Sequence, residues 1–309
     1  MLKYIGKRLL AMIPVIIGIT ILVFFIMKLA PGDPARMILG DNATEEALAA
    51  KRAELGLDKP LLVQYGNYMI GLLHGDMGIS WTNERSVSDE VFSRFPATLK
   101  LAAVSALVSI VLAIPLGILA AIKRNTFFDH ASMALSLIGI SMPAFWLALM
   151  LMLLFSVRLG WFPVQGAVDG WRSYVLPSIA IGFMNMAAIA RTTRSSMLDT
   201  ISQDYIRTAR AKGISENEVI MHHAFRNALI PTVTVIGVQL GGLIGGAVLT
   251  ETVFAWPGLG RYIVQSVNGR DIPAVMGCII VMAVAFSLVN LLVDLLYGFI
   301  DPRIKSMYK

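Results

Sequence analysis

The residues best equipped for chemistry in this 309-residue chain are scattered. His74, His130, His222 and His223 fall in different segments or side by side, and no His-x-x-x-His pair sets two imidazoles on one helix face, so no metal site is expected. Lys7 follows Gly6, but Arg8 comes next and no glycine-rich lead precedes them, so a loop that cradles ATP phosphates is missing. Cys278 is the single cysteine; it sits in an apolar run and can close no disulfide within the chain. Asp294 is the only acidic residue well inside an expected span. An intramembrane carboxylate is a functional hypothesis by default, yet one near a span end reads more simply as an interfacial group. Paired aspartates, a Ser/His arrangement and a midplane chain of carboxylates are all missing. The sequence therefore shows neither a reactive centre nor an energy source, and no bound cofactor is expected.

The elements around these residues belong in a bilayer. With 56% hydrophobic and 15% charged residues, and a mean hydropathy of +0.70, the chain is too apolar for a soluble protein of this length. About 20 residues cross the hydrocarbon, and six runs qualify: roughly 9–30, 98–122, 133–157, 174–190, 228–250 and 274–300. The first is longer than the core of a signal peptide and reads as an uncleaved helix. Six spans put both termini on one side, and basic residues fix which. Lys3, Lys7 and Arg8, then Lys123 and Arg124, then six basic residues of 191–226, then Arg303, Lys305 and Lys309 share that side; the short segments opposite carry only Arg158, Arg172, Arg261 and Arg270. Both termini are expected to be cytosolic. The same dispersal explains the net charge of +6 without nucleic acid, since no basic stripe with interleaved aromatics occurs.

This divides the chain into 1–30, an N-terminus with the first helix; 31–97, an external region; and 98–309, a five-helix core. In the external region Thr44 can cap a helix that Glu45 and Glu46 favour through the helix dipole and that Gly56 ends, and 61–73 forms another. The region is either a docking surface or lid, or a solvated linker. Pro115, Pro143 and Pro177 predict kinks in or near the second, third and fourth spans. The fifth span carries Gly237, Gly241, Gly242, Gly245 and Gly246, a spacing that lets helix backbones approach closely. That suits packing within the chain, and equally a smooth pathway wall.

The longest polar segment on the expected cytosolic side is 191–231. A helix over 203–212 ends at Gly213, which can take the left-handed conformation. Ser215-Glu216-Asn217-Glu218 is a capping box, with the serine hydroxyl accepting near Glu218 and the Glu218 carboxylate reaching back to start a second helix. An ordinary solvated loop is the plain alternative. A loop built from two capped helices is nevertheless rigid, and rigidity suits a part that something outside the membrane must push.

At these residues the chain resembles a known family. Tyr205-Ile206-Arg207-Thr208-Ala209-Arg210-Ala211-Lys212-Gly213, with His223-Ala224-Phe225-Arg226-Asn227-Ala228-Leu229-Ile230-Pro231, is similar to the cytosolic loop of permeases of the dipeptide/oligopeptide/nickel family of ABC importers. Pro31-Gly32-Asp33-Pro34 after the first span agrees. So does Leu249-Thr250-Glu251-Thr252-Val253-Phe254-Ala255-Trp256-Pro257-Gly258-Leu259-Gly260-Arg261, which resembles the family's outer motif, with Glu251, Pro257, Gly258 and Gly260 as its marked positions. The loop has Arg207-Thr208-Ala209 where the general importer pattern has Glu-Ala-Ala. The resemblance implies an all-α membrane protein with the type I permease architecture and a cytosolic coupling helix. It implies partners: a second permease of the same kind, two ATP-binding subunits that use ATP and Mg, an external substrate-binding protein, and membrane lipid. Tyr205, Arg207, Ala209, Lys212, Gly213, Ser215 and Glu218 would then couple to an ATPase. The glycine-rich span, at Gly241 and Gly245, with Gln239 and Asn185 as polar contacts chosen by membrane depth, would line the path. The substrate would be a peptide, with glutathione or nickel as alternatives. A self-sufficient secondary transporter is the competing class, but it requires a midplane ion site that the sequence does not display.

Overall fold

The computed structural model describes residues 2–29 and 31–300; Arg303, Lys305 and Lys309, which enter the charge asymmetry, lie outside them. The described residues are mostly helical, and the only bridge among them is antiparallel, between Ile79 and Ser86. Five helices are long and apolar enough to cross a membrane, or six spans if one bent pair counts as a span.

One compact unit holds Leu2–Thr98 and Pro257–Ser287. It begins with α1 (Leu2–Leu29), α2 (Pro34–Leu39), α3 (Glu45–Glu54) and α4 (Leu61–Leu73), takes in the start of α5 (Val87–Ile122), and ends with α12 (Leu259–Asn268) and the start of α13 (Ile272–Ile300). Local chemistry explains these elements. Asp33 caps α2 by accepting from Ala35 N–H at 3.0 Å, and Pro34 stands at the first helical position, where its missing N–H costs nothing. Thr44 caps α3 at 3.3 Å from Ala47 N–H, and Gly56, at φ +66°, closes it with the Leu57 N–H returned to Arg52 O at 2.8 Å. Asp33 also accepts from Arg52 Nε and Nη2 at 2.8 and 2.6 Å, so the Pro-Gly-Asp-Pro motif clips α3 onto the start of α2. Buried Asp271 holds the 79–86 turn to α13 by accepting from Ser80 Oγ at 2.5 Å and Thr82 Oγ1 at 2.9 Å. Gly277 permits the contact beneath it: a Cβ there would stand 2.5 Å from Val87 Cγ1.

The other unit holds Leu99–Trp256 and the part of α13 from Leu288. It takes in most of α5, then α6 (Phe127–Ser141), α7 (Ala144–Leu151) running on into a π-helical turn at Met152–Arg158, and α8 (Arg172–Ile201). Two short helices follow, α9 (Asp204–Ala211) and α10 (Glu216–Glu218). A second π-helical turn at Val219–Ala224 then leads into α11 (Phe225–Val253). The third span, expected as one kinked helix, is broken instead: α6 and α7 meet at 107°. Pro143 is the cause. It has no N–H to give, and it forces Met142 into an extended conformation (φ −92°, ψ 125°), so the helix stops and restarts.

The close approach of α5 to α8 rests on glycines outside the fifth span. A Cβ on Gly117 would fall 2.6 Å from Thr193 Cβ, and one on Gly182 would fall 2.9 Å from Ser109 Oγ, so α5 and α8 touch backbone to backbone through small residues. On α11, Gly237 and Gly241 are buried, while Gly242, Gly245 and Gly246 face open space with nothing within 4 Å of a Cβ. The glycine run is therefore two features in one helix, an inner packed edge and an outer bare one.

Candidate functional site

The 191–231 segment is built as a braced turn on an apolar bed. Gly213 closes α9 at φ +77°, its N–H returned to Arg210 O at 3.0 Å. Ser215 Oγ accepts from Glu218 N–H at 3.4 Å and starts α10. The Glu218 carboxylate makes no return bond among the described residues, so only half of the expected capping box forms. The other lock is one the sequence reading missed. Arg210 Nε and Nη2 donate to the two Glu216 oxygens at 3.0 and 2.6 Å, a bidentate clamp across the glycine turn. Opposite charges six residues apart on either side of a turn were the available signal.

Beneath the turn lies a cluster of Ile118, Ala121, Met197, Ile206, Ala209, Val219, Ile220, Ala224 and Ala228. Ile206 and Val219 are fully buried, one from each side of the turn, so α9 and the π-helical turn are anchored to the same floor. Tyr205 adds a rim contact, its hydroxyl accepting from Asn227 Nδ2 at 2.9 Å. What faces outward is Arg207, 80% exposed, with Lys212 and Thr208 beside it. Arg207 has only a 3.8 Å contact with the exposed Asp204 carboxylate. The site is a braced turn whose exposed face mixes Arg207 and Lys212 with Asp204 and Glu218. Among the described residues no three His, Cys, Asp or Glu side chains gather as a metal site.

A second brace ties α8 to α6. Asp129, almost fully buried, accepts from Arg194 Nε at 2.5 Å and Nη2 at 2.7 Å, and also from Asn125 N–H at 3.0 Å. A third span beginning at 133 places Asp129 in a loop and counts Arg194 as a free charge; the helix begins instead at Phe127, and the two charges neutralise each other. Further along α8 and α11, Asn185 and Gln239 meet: Gln239 Nε2 donates to Asn185 Oδ1 at 2.9 Å, with Asn185 7% exposed and Gln239 part-buried. Of the glycines named with them, Gly241 is buried and Gly245 bare.

The 249–256 stretch turns sharply at the end of α11. Trp256 N–H donates to Glu251 O at 2.8 Å, both residues are fully buried, and the Trp256 ring stands edge-on to Tyr174 at 4.6 Å. Ala255 sits at φ +48°, a left-handed conformation strained for a residue with a Cβ. In the other unit, Pro257 is exposed, Gly258 opens α12, and Leu259 N–H is received by Thr98 Oγ1 at 2.8 Å; Gly260 is buried.

A braced turn on a bundle of apolar helices is also what a known family carries. The family described as the inner membrane component of binding-protein-dependent transport systems matches residues 113–306, and the N-terminal region of that component matches residues 1–102. The chain belongs to this family. It is 46% identical to the dipeptide transport system permease DppB of Alkalihalophilus pseudofirmus, covering 99% of this chain and 100% of that one. It is 47% identical to the glutathione transport system permease GsiC of Salmonella choleraesuis, covering 99% of each. Among solved structures, an inward-facing MetNI methionine ABC transporter aligns with a TM-score of 0.58 at 19% identity, over 68% of this chain and 95% of that one. An amino acid ABC transporter aligns at 0.55 and 14%, over 68% and 94%; at these identities the likeness is one of fold. The permease is thus a multi-pass inner-membrane subunit of an ABC importer, of the peptide/nickel branch, and works in a complex with other subunits rather than as an enzyme.

Proposed function

We propose that the permease forms, with a second permease of the same kind, the path of an importer for short peptides, and that its 191–231 turn lies in the cytosol and docks on an ATP-binding subunit. The observation that carries this reading is the turn itself: α9 and α10 clamped across Gly213 by Arg210 and Glu216, on a floor shared with α5, α8 and α11. A push on Arg207 and its neighbours would reach those helices without being lost in a soft loop, because the turn and its floor move as one body. Two ATP-binding subunits would supply the energy, using ATP and Mg, and an external binding protein would deliver substrate. Both termini would be cytosolic by the distribution of basic residues.

Peptides are favoured because the relatives of near-equal identity are named for a dipeptide and for glutathione, itself a tripeptide. Glutathione is the second reading, on the second of those names. Arg207→Cys tests the docking, since the native Cys278 is buried and stays silent. In the assembled transporter the new thiol should cross-link to an ATP-binding subunit and be shielded from a membrane-impermeant reagent added outside whole cells. Labelling from outside would overturn the orientation; free labelling inside, with no cross-link, would overturn the docking. Competition of dipeptides, longer peptides and glutathione for uptake decides the substrate.

A further inference from the structure

The described surface of α4 contains no charge, and its sequence, LLVQYGNYMIGLL, has two faces. Leu62, Ile70 and Leu73 share one stripe and are 74%, 58% and 84% exposed. Water is a poor neighbour for such a stripe. Depth explains it. Tyr65 Oη lies 2.9 Å from Thr20 Oγ1 of α1, and Thr20 is about 13 Å along the axis before the helix end at Leu29. A tyrosine side chain spans only part of that distance, so α4 dips below the end of α1. The outward residues of α1 over the same stretch, Ile21, Leu22 and Ile26, are also exposed. Two apolar faces therefore lie side by side at the depth where hydrocarbon gives way to headgroups, as an interfacial helix does.

Behind α4, on the face opposite the stripe, opens a cavity of about 720 Å³. Lys28 enters it from the end of α1, its ammonium 5.7 Å from the Phe24 ring and 5.8 Å from the Trp81 ring, with no carboxylate within ion-pair distance among the described residues. Lys51 is neutralised by Glu54 at 2.8 Å, which leaves Lys28 and Lys59 facing Glu84 and the cavity one positive charge in excess. Tyr68 and Asn67 line the same space from α4. The cavity offers a cation between aromatic rings and an apolar approach along α1 and α4.

We propose that this cavity binds the headgroup of an anionic phospholipid in the leaflet where α1 ends, with the phosphodiester on Lys28 and the acyl chains along the stripe of α4. A lone positive excess fits a monoanion, and the continuity of two lipid-facing surfaces favours a lipid over a soluble anion. The site needs the bilayer but not the orientation or the substrate proposed above. Its test is the full chain in a neutral detergent, observed by native mass spectrometry with phosphatidylglycerol or with phosphatidylcholine of the same acyl chains. Phosphatidylglycerol should be retained preferentially. Lys28→Gln should weaken it about fivefold, the worth of one surface lysine against an anionic lipid, and Lys28→Arg should keep it. If Lys28→Gln lowers the lipid-free melting temperature, the exposed Lys59→Gln takes its place and should give a loss in the same direction. Equal retention of the two lipids, or unchanged retention in both lysine variants, overturns the proposal. Displacement by inorganic phosphate at equal concentration also overturns it, by assigning the cavity to a soluble anion.

Discussion

Replacing Gly213 by valine perturbs the braced turn through its backbone alone. The residue sits at φ +77°, and a Cβ built there meets nothing within 4 Å, so no side-chain clash enters. The cost is that of a left-handed L-residue, about 1–2 kcal/mol, with β-branching adding to it. The Arg210–Glu216 clamp is half-exposed on both sides and worth only about 0.5 kcal/mol, too little to hold the turn against that strain. One or two kcal/mol lowers the population of the native turn roughly 5–30-fold relative to alternatives, while Ile206 and Val219 keep the helices on their floor and the spans stay inserted. Uptake by the assembled transporter should fall steeply, and ATP hydrolysis should lose its response to loaded binding protein at near-normal abundance of the chain. Gly213→Asn is the control, because asparagine tolerates the left-handed region; it should retain most of both activities. Uptake and stimulated hydrolysis measured in the same proteoliposomes decide the matter. Normal values in Gly213→Val would refute the reasoning and make the turn a passive link.

Three further outcomes follow from the packing and the ion pairs. Gly117→Ala would force a Cβ to 2.6 Å from Thr193 Cβ and 2.7 Å from Ala190 O, so α5 and α8 must part at about 1–3 kcal/mol, read as a lower melting temperature of the purified chain. Asp129→Leu strands Arg194 beside an apolar wall and should cost about 3 kcal/mol, whereas replacing both partners by leucine should cost clearly less; a double variant as unstable as the single one would refute the ion-pair account. Burial opposes ionisation of Asp33, but the hydrogen bonds from Arg52 and Ala35 N–H outweigh it, and its pKa lies below the usual value. Its stabilisation is then complete above about pH 4 and lost only as the pH falls through the lowered folded value. Protease resistance of the 34–54 segment should hold at neutral pH and step down in acid, and Asp33→Asn should remove the step.

Much of this was legible where the signal is local. Thr44, Gly56, Gly213 and Ser215 act on backbone groups within a few residues, and each does what its type and position imply. Membrane spans were legible because hydrocarbon imposes length and polarity on a single segment. Partners distant in sequence were not. Asp129 and Arg194 are 65 residues apart, Ser80 and Asp271 are 191 apart, and nothing local marks either pair. Pro143 announced a disturbance but not its size: a proline kinks a helix or ends it according to what can satisfy the freed carbonyls, and that is decided by neighbours. Asn185 and Gln239 were chosen by depth alone, and depth does not say that two amides on different helices meet.

The bare edge of α11 has a consequence for genetics. Since a Cβ on Gly242, Gly245 or Gly246 would meet nothing among the described residues, alanine at any of them should, if anything, firm the isolated helix by about 0.5–1 kcal/mol through the lost freedom of glycine in the unfolded chain. A defect produced there is then not expected to arise from this subunit's folding. Such alleles would separate what the polypeptide requires for itself from what its neighbours require of it, and compensating changes would be found in another gene.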